Sequence, residues 1–193
     1  FYAAGQRRAS LMNACASRED FYRSLEQEAE IEPVTPATLA RVAQLTQKTN
    51  QFNLTTRRYT AAEVEALIGD PGHITLYGRL VDKFGDNGIV TALIAKKRGA
   101  EADIELWIMS CRTFKRDLEL AMFDRLAAVC AAQGITRING TYLPTAKNLL
   151  VRDFYATIGF AVTAENADGS RNFTLAPLSG YVPKNEVMEV IPL

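Results

Sequence analysis

Cys111-Arg-Thr-Phe-Lys-Arg-Asp117 and Asn148-Leu-Leu-Val-Arg-Asp-Phe-Tyr-Ala-Thr-Ile-Gly159-Phe160 are the two stretches on which the reading of the fold turns. The first follows an alternating apolar strand over 103–110. It opens a helix read over about 116–132, striped by Leu118, Met122, Leu126 and Val129 and stopped by Gly134. The second follows a strand over 135–142. It reads as a helix over 146–158 ended by Gly159, with Phe160 packing back on it. Strand, helix and second strand in that order make a βαβ crossover.

Working outward, Thr35-Pro36 starts a helix lined by Leu39, Val42, Ala43 and Leu45, after a short strand over 31–34. Thr60-Ala-Ala-Glu63 is a capping box for a second helix, which Gly69 ends. Alternating strands over 74–82 and 89–97 flank the turn Gly85-Asp-Asn-Gly88, and 160–163 and 172–175 read as short closing strands. The order β-α-α-β-β-β-α-β-α-β-β predicts a mixed α/β domain over residues 29–193 with a C-terminal tail. Residues 1–28 read as a linker helix, and the stretch 47–58 as a polar loop.

Composition narrows the function. The chain has 193 residues, 48% apolar content and a net charge of +0, enough for one core and without the basic field of a nucleic-acid binder. No apolar run reaches membrane-spanning length, and the first residues lack the apolar core of a signal peptide. Without an initiator Met, the chain reads as a fragment of a longer polypeptide or as trimmed at its start. Cys15, Cys111 and Cys130 show no pairing or metal spacing, which points to a reducing cytoplasm. The one histidine, His73, follows the turn Asp70-Pro-Gly72, so neither a His-based triad nor a metal site is expected.

The strand–Arg–helix–strand order with Asn148…Phe154-Tyr155…Gly159-Phe160 resembles the second half of a GNAT acyltransferase domain, a twisted mixed sheet flanked by helices. The segments Thr46-Gln-Lys-Thr-Asn-Gln-Phe-Asn-Leu-Thr-Thr-Arg-Arg-Tyr-Thr60, Phe84-Gly-Asp-Asn-Gly88, Ser110-Cys-Arg112 and 144–155 sharpen it. They resemble the C-terminal domain of the FkbH-like family. That resemblance implies an upstream HAD-like phosphatase domain, whose Asp-x-Asp motif this chain lacks. It also implies transfer of a glyceryl group from 1,3-bisphosphoglycerate to the pantetheine thiol of an acyl carrier protein, for polyketide biosynthesis. A phosphopantetheine thioester or coenzyme A, weakly held, is the implied ligand.

The resemblance places Arg112 at the start of the pyrophosphate loop, where free N–H groups and a helix dipole attract anions. Two positions of that loop, Gly or another small residue in the family, are Lys115 and Asp117 here, which crowds the anion. Lys115 and Arg116 are expected to compensate as side-chain phosphate ligands. Asn148 resembles the residue that contacts the pantetheine arm. Tyr155 resembles the general acid, since a phenol of pKa about 10 suits protonation of a thiolate of about 8.5. Cys111, between a strand end and a helix start, is expected as a nucleophile. Asn50, Asn53, Thr55, Arg57 and Arg58 form a polar run that a core does not require, and with Asn87 they are candidates for contact with substrate or an acidic carrier protein.

Each candidate has a plainer reading: Cys111 as a small apolar residue, Tyr155 as core, Asn87 as part of a type I′ turn, the polar run as a solvated loop. Two functions therefore stand, an acyl-transfer domain and a degenerate module that docks the carrier, with small-molecule N-acetyltransferase a weaker third. A cleft is expected where the strands ending near Ser110 and containing Thr141 part, leaving N–H and C=O groups for an extended amide.

Overall fold

The computed structural model describes residues 2–191. Its helices are α1 (Tyr2–Ala14), α2 (Arg18–Ser24), α3 (Pro36–Lys48), α4 (Ala61–Leu67), α5 (Leu118–Ala132) and α6 (Phe154–Thr157). Its strands are β1 (Gln27–Pro33), β2 (Phe52–Asn53), β3 (His73–Asp82), β4 (Gly85–Arg98), β5 (Glu101–Met109), β6 (Arg137–Tyr142), β7 (Ala161–Glu165), β8 (Arg171–Leu175) and β9 (Met188–Ile191). They form one mixed sheet in the order β7-β8-β6-β5-β4-β3-β1-β9, with β2 added to β5. Parallel pairing occurs at β5–β6 and β1–β9, and the other pairs are antiparallel.

Period-two alternation sorts the side chains onto two faces. From β4 and β5, Ala92, Ile94, Leu106 and Ile108 pack under α3 and α4. Leu93, Ala95, Trp107 and Met109 pack on the opposite face with the α5 stripe of Leu118, Met122, Phe123 and Leu126. Gly78 in β3 lets α5 come close: a Cβ there would lie 2.4 Å from a Thr91 methyl and 2.9 Å from the Met122 sulfur.

Three expectations change. The linker is two helices, not one, and both pack on the domain. Tyr22 donates to the Lys115 carbonyl, and Phe21, Tyr22 and Leu25 form a small apolar cluster with Phe84 and Val187 beside it. The expected C-terminal tail supplies β9, whose pairing with β1 continues the sheet. The helix expected over 146–158 is a 3-10 turn, Leu149–Val151, followed by the single α-turn of α6.

Arg116 is also corrected. It does not face a phosphate. Its guanidinium is buried, donating from Nε to Gln27 Oε1 at 2.8 Å and pairing through Nη2 with Asp82. Arg8 of α1 grips the same carboxylate at 2.9 Å, and the Phe84 N–H donates to it. Burial works to raise the Asp82 pKa, but the two guanidinium groups and that N–H outweigh it and hold the pKa below the usual carboxylate range. Removing one member of a buried ion pair strands the other, which costs about 3–5 kcal/mol. Asp82→Ala is expected to lose stability of that order in urea melts and to unclasp α1. Unchanged amide exchange in α1 would contradict this.

Candidate functional site

The site is organised by the parting of β5 and β6. These parallel strands pair only at Glu101–Arg137, Ala102–Ile138 and Asp103–Asn139, and then diverge. The expected splay is therefore present. The chain fills it with its own residues 52–55, the stretch expected to be a solvated polar loop. Phe52 and Asn53 pair antiparallel with Met109 and Ile108. The Leu54 N–H then donates to the Trp107 carbonyl at 3.4 Å, while the Leu54 carbonyl accepts from Leu143 N–H at 2.8 Å. Thr55 Oγ1 donates to the Glu105 carbonyl at 2.7 Å. Residues 52–55 thus bridge both lips of the splay, and all four are buried.

Asn148 locks this arrangement. It is fully buried, and its Nδ2 donates to the Asn53 and Leu143 carbonyls, each at 2.9 Å. Its Oδ1 accepts from Thr145 N–H at 2.7 Å and from the Tyr142 hydroxyl at 3.2 Å. The residue expected to hold a pantetheine amide holds a backbone carbonyl of this chain instead.

The loop expected to cradle a pyrophosphate runs from Ser110 to Asp117 and delays the helix. Leu118 is the first residue of α5, so Cys111 is not at a helix start and gains nothing from the dipole. Lys115 and Asp117 adopt left-handed backbone conformations, φ 64° and 67°, the region that glycine favours. The loop keeps a glycine-type path with side chains upon it. The Lys115 N–H donates to Glu119 Oε1 at 3.2 Å, so a carboxylate from α5 lies against the anion nest. Glu119 is buried, and its Oε2 has no hydrogen-bond partner. Glu119 is a residue that sequence reasoning missed: it stands in the first turn of α5, where an acidic residue is ordinary.

Beyond the lip of the splay lies a cavity of about 720 Å³. Arg41 and Lys48 come from α3, Asn50 from the turn after it, Ser110, Cys111 and Arg112 from the end of β5, and Lys147 from the loop after β6. Four cations and an exposed thiol line this space, and no carboxylate does among the described residues. Cys111, Arg112 and Asn50, three separate candidates in the sequence, line one cavity, joined by Lys147, Arg41 and Lys48, which sequence reasoning missed. They come from separate stretches with no motif between them.

Arg58 and Asn53 line a smaller adjoining hollow of about 290 Å³ that shares Asn50 and Lys147 with this cavity, and the other candidates lie further off. Arg58 caps the end of α3, donating to the Thr46 and Gln47 carbonyls and to Asn50 Oδ1, so its fork is spent within the protein. Arg57 pairs with Glu105 at 2.9 Å and donates to the Tyr59 hydroxyl at 3.1 Å. Asn53 donates to the Arg57 carbonyl at 3.2 Å. Thr55 and Arg57 line a second hollow of about 360 Å³ on the far side of the splay. Asn87 sits in the β3–β4 turn, donating to the Gly85 carbonyl at 3.4 Å, and is not brought to the cleft.

Tyr155 is fully buried and its hydroxyl has no partner. Its ring packs against Trp107, Phe160 and Phe173. It leans so closely on Gly140 that a Cβ there would lie 2.5 Å from the ring. Burial drives the phenol pKa far above its ordinary value. A general acid must reach the proton acceptor, so this geometry removes Tyr155 from the chemistry. Tyr155→Phe deletes an unsatisfied buried hydroxyl and should stabilise the fold or leave it unchanged, by up to about 1 kcal/mol. A drop in melting temperature of several degrees would show that the hydroxyl has a partner.

Among the described residues no group of three or more His, Cys, Asp or Glu is placed to hold a metal ion. No helix is long and apolar enough to cross a membrane. No family model matches the chain, and neither does any curated protein. Solved structures do. Over 77% of this chain and 94% of that one, it superposes on the ribosomal-protein-S18-alanine N-acetyltransferase from Escherichia coli with TM-score 0.57 and 13% identity. The GNAT domain of S. lividans PAT gives TM-score 0.59 at 17% identity, over 77% of this chain and 90% of that one. The PaiA N-acetyltransferase from Thermoplasma acidophilum, solved in complex with coenzyme A, gives 0.55 at 14%, over 77% and 98%. The chain has the GNAT acyltransferase fold.

The residues present do not fit coenzyme A held in the manner the resemblance implies: residues 52–55 fill the splay, Glu119 lies against the anion nest, and Arg116 is turned away. Glu119 yields a pH test. Chiefly through burial, and with Asp117 adding to it, its pKa is pushed up from 4.5 to about 7, against the N–H groups of Glu119 and Lys115. The folded state therefore holds a proton that the unfolded chain gives up. The associated stability is full below 4.5 and lost as pH rises through about 7. Relative to Glu119→Gln, the parent protein should lose up to roughly 3 kcal/mol between about pH 5 and 8 in urea melts. Parallel curves for the two proteins would show an ionised carboxylate at this site.

Proposed function

We propose that this domain transfers an acyl group from an acyl-phosphate donor, by way of Cys111, to the pantetheine thiol of an acyl carrier protein. The observation that carries the reading is the cationic cavity with the Cys111 thiol on its wall. The resemblance to FkbH-like proteins supplies the particulars: a glyceryl group, a donor derived from 1,3-bisphosphoglycerate, and an upstream HAD-like domain that presents it.

The chemistry needs little beyond these residues. The Cys111 thiolate attacks the acyl carbon, the C–S bond forms, and the thiol proton passes to water. The C–O bond to phosphate breaks and its electron pair leaves on the phosphate oxygen. Arg41, Lys48, Arg112 and Lys147 stabilise that charge in the cavity. Such a leaving group needs no phenolic acid, which accords with the burial of Tyr155. The carrier thiolate then attacks the thioester, and Cys111 departs as a thiolate in a near-isoenergetic exchange. Cys130 is excluded as the relay, because it is buried and burial raises its thiol to about 12.

A docking module is the second reading, and the filled splay favours it. One experiment separates the two. Intact-protein mass spectrometry with acetyl phosphate as donor should show an adduct that Cys111→Ser abolishes and Cys130→Ser retains. Lys147→Glu should raise the donor KM roughly tenfold by placing a like charge beside the phosphate. Carrier loading at the parental rate in Cys111→Ser would leave docking as the function.

A further inference from the structure

We infer that residues 52–55 and the Glu119 carboxylate are built-in occupants of the two halves of the fold's coenzyme A cradle, so that the domain takes a pantetheine thiol without accepting coenzyme A there. This deepens the proposed function, on which it rests for the thiol substrate, by adding a selectivity against the free coenzyme. The two halves are argued separately.

An extended thioester arm entering between parting strands needs their unpaired N–H and C=O groups. Here those groups are taken: Met109 and Ile108 by β2, the Trp107 carbonyl by Leu54, the Leu143 N–H by Leu54 in return. The insert is not a lid. Phe52 is fully buried, with its ring centroid 5.0 Å from Phe154, 5.1 Å from Phe114 and 5.9 Å from Trp107. Leu54 is fully buried in the same cluster. Withdrawing the segment would expose two large apolar side chains and break the hydrogen bonds of both lips. The occupation is therefore part of the folded state.

The second half is steric as well as electrostatic, because the Glu119 carboxyl group fills the site and becomes charged only as pH rises through about 7. A pyrophosphate at the start of α5 would meet N–H groups, but one of these already donates to Glu119. Asp117, at the N-cap, adds a second carboxylate. Arg116, which would oppose them, is committed to Asp82 and Gln27. The hollow beside this loop, about 270 Å³, is walled by Leu120, Leu149, Leu150 and Phe154 and is poor in cations. An anion belongs instead in the cavity of Arg41, Lys48, Arg112 and Lys147, outside the splay.

The test is nuclear magnetic resonance of the whole chain, titrated separately with coenzyme A and inorganic pyrophosphate. The expected result is no saturable shift of the amides of residues 52–55 or 113–118 at millimolar ligand, with shifts confined to residues around Cys111 and Lys147. A saturable coenzyme A shift in residues 52–55, with loss of protection at Leu54 and Leu143, would overturn the inference. A triple variant, Lys115→Gly, Asp117→Gly and Glu119→Gln, should gain roughly tenfold in pyrophosphate affinity at residues 113–118. No gain, with the spectrum of the fold intact, overturns the second half. Should that variant unfold, the titration of the parent chain decides alone. Adduct formation at Cys111 is scored independently, so a failure here is distinct from a failure of the acyl-relay reading.

Discussion

The hydrogen bonds left open where β5 and β6 part are the constraint on which this molecule depends. Two parallel strands that pair at only three positions leave the rest of their inner edges unsatisfied in the middle of a sheet. Buried N–H and C=O groups must find partners, and there are few ways to supply them. This chain supplies them from itself. Residues 52–55 take one lip through β2 and Leu54 and the other through Leu143, and Asn148 closes the arrangement from below.

Much else follows from that choice. Phe52 can serve as an aromatic keystone only because its backbone is held in the splay, and Phe154, Phe114 and Trp107 gather around it. With the aromatic cluster complete, Tyr155 is enclosed and packs on the Gly140 backbone as core. Arg58 folds back over the end of α3 because the turn at residues 49–51 must lead directly into the splay. Part of the polar character of the 47–58 stretch thus serves internal hydrogen bonds, those of Asn53, Thr55 and Arg58. The cation-lined cavity lies just outside, where α3, the end of β5 and the loop after β6 meet around the insert.

At the start of α5 a second accommodation appears. The loop retains left-handed conformations at Lys115 and Asp117, the path that glycines would take around an anion. The buried Glu119 carboxyl group accepts from the Lys115 N–H instead, and Arg116 turns inward to Asp82, together with Arg8 from α1. The helices before β1 are in this way tied to the loop before α5, through Tyr22 as well as Arg8. The loop is a structural joint between the N-terminal helices, β3 and α5.

The sequence alone was enough for the fold class, the order of its principal elements and the parting of two parallel strands. The element order rests on local signals: period-two strands, capped helices, turn glycines and a crossover that has one permitted hand; the GNAT-like fold class and the parting of the strands came from the resemblance. It also marked Cys111, Arg112 and Asn50, which do share a cavity, and Asn148, which does hold an extended amide. It assigned that amide to a pantetheine arm, whereas the structure gives Asn148 the backbone carbonyl of Asn53. Occupancy of the splay, inward rotation of Arg116, burial of Tyr155 and the proximity of Glu119 to the Lys115 N–H are decided by contacts between residues distant in the chain, such as Asn53 with Asn148 and Arg116 with Asp82. A polar stretch looks the same in sequence whether its hydrogen bonds go to water or to a neighbouring strand. Only the tertiary structure, by bringing the unpaired edges of β5 and β6 to it, settles which.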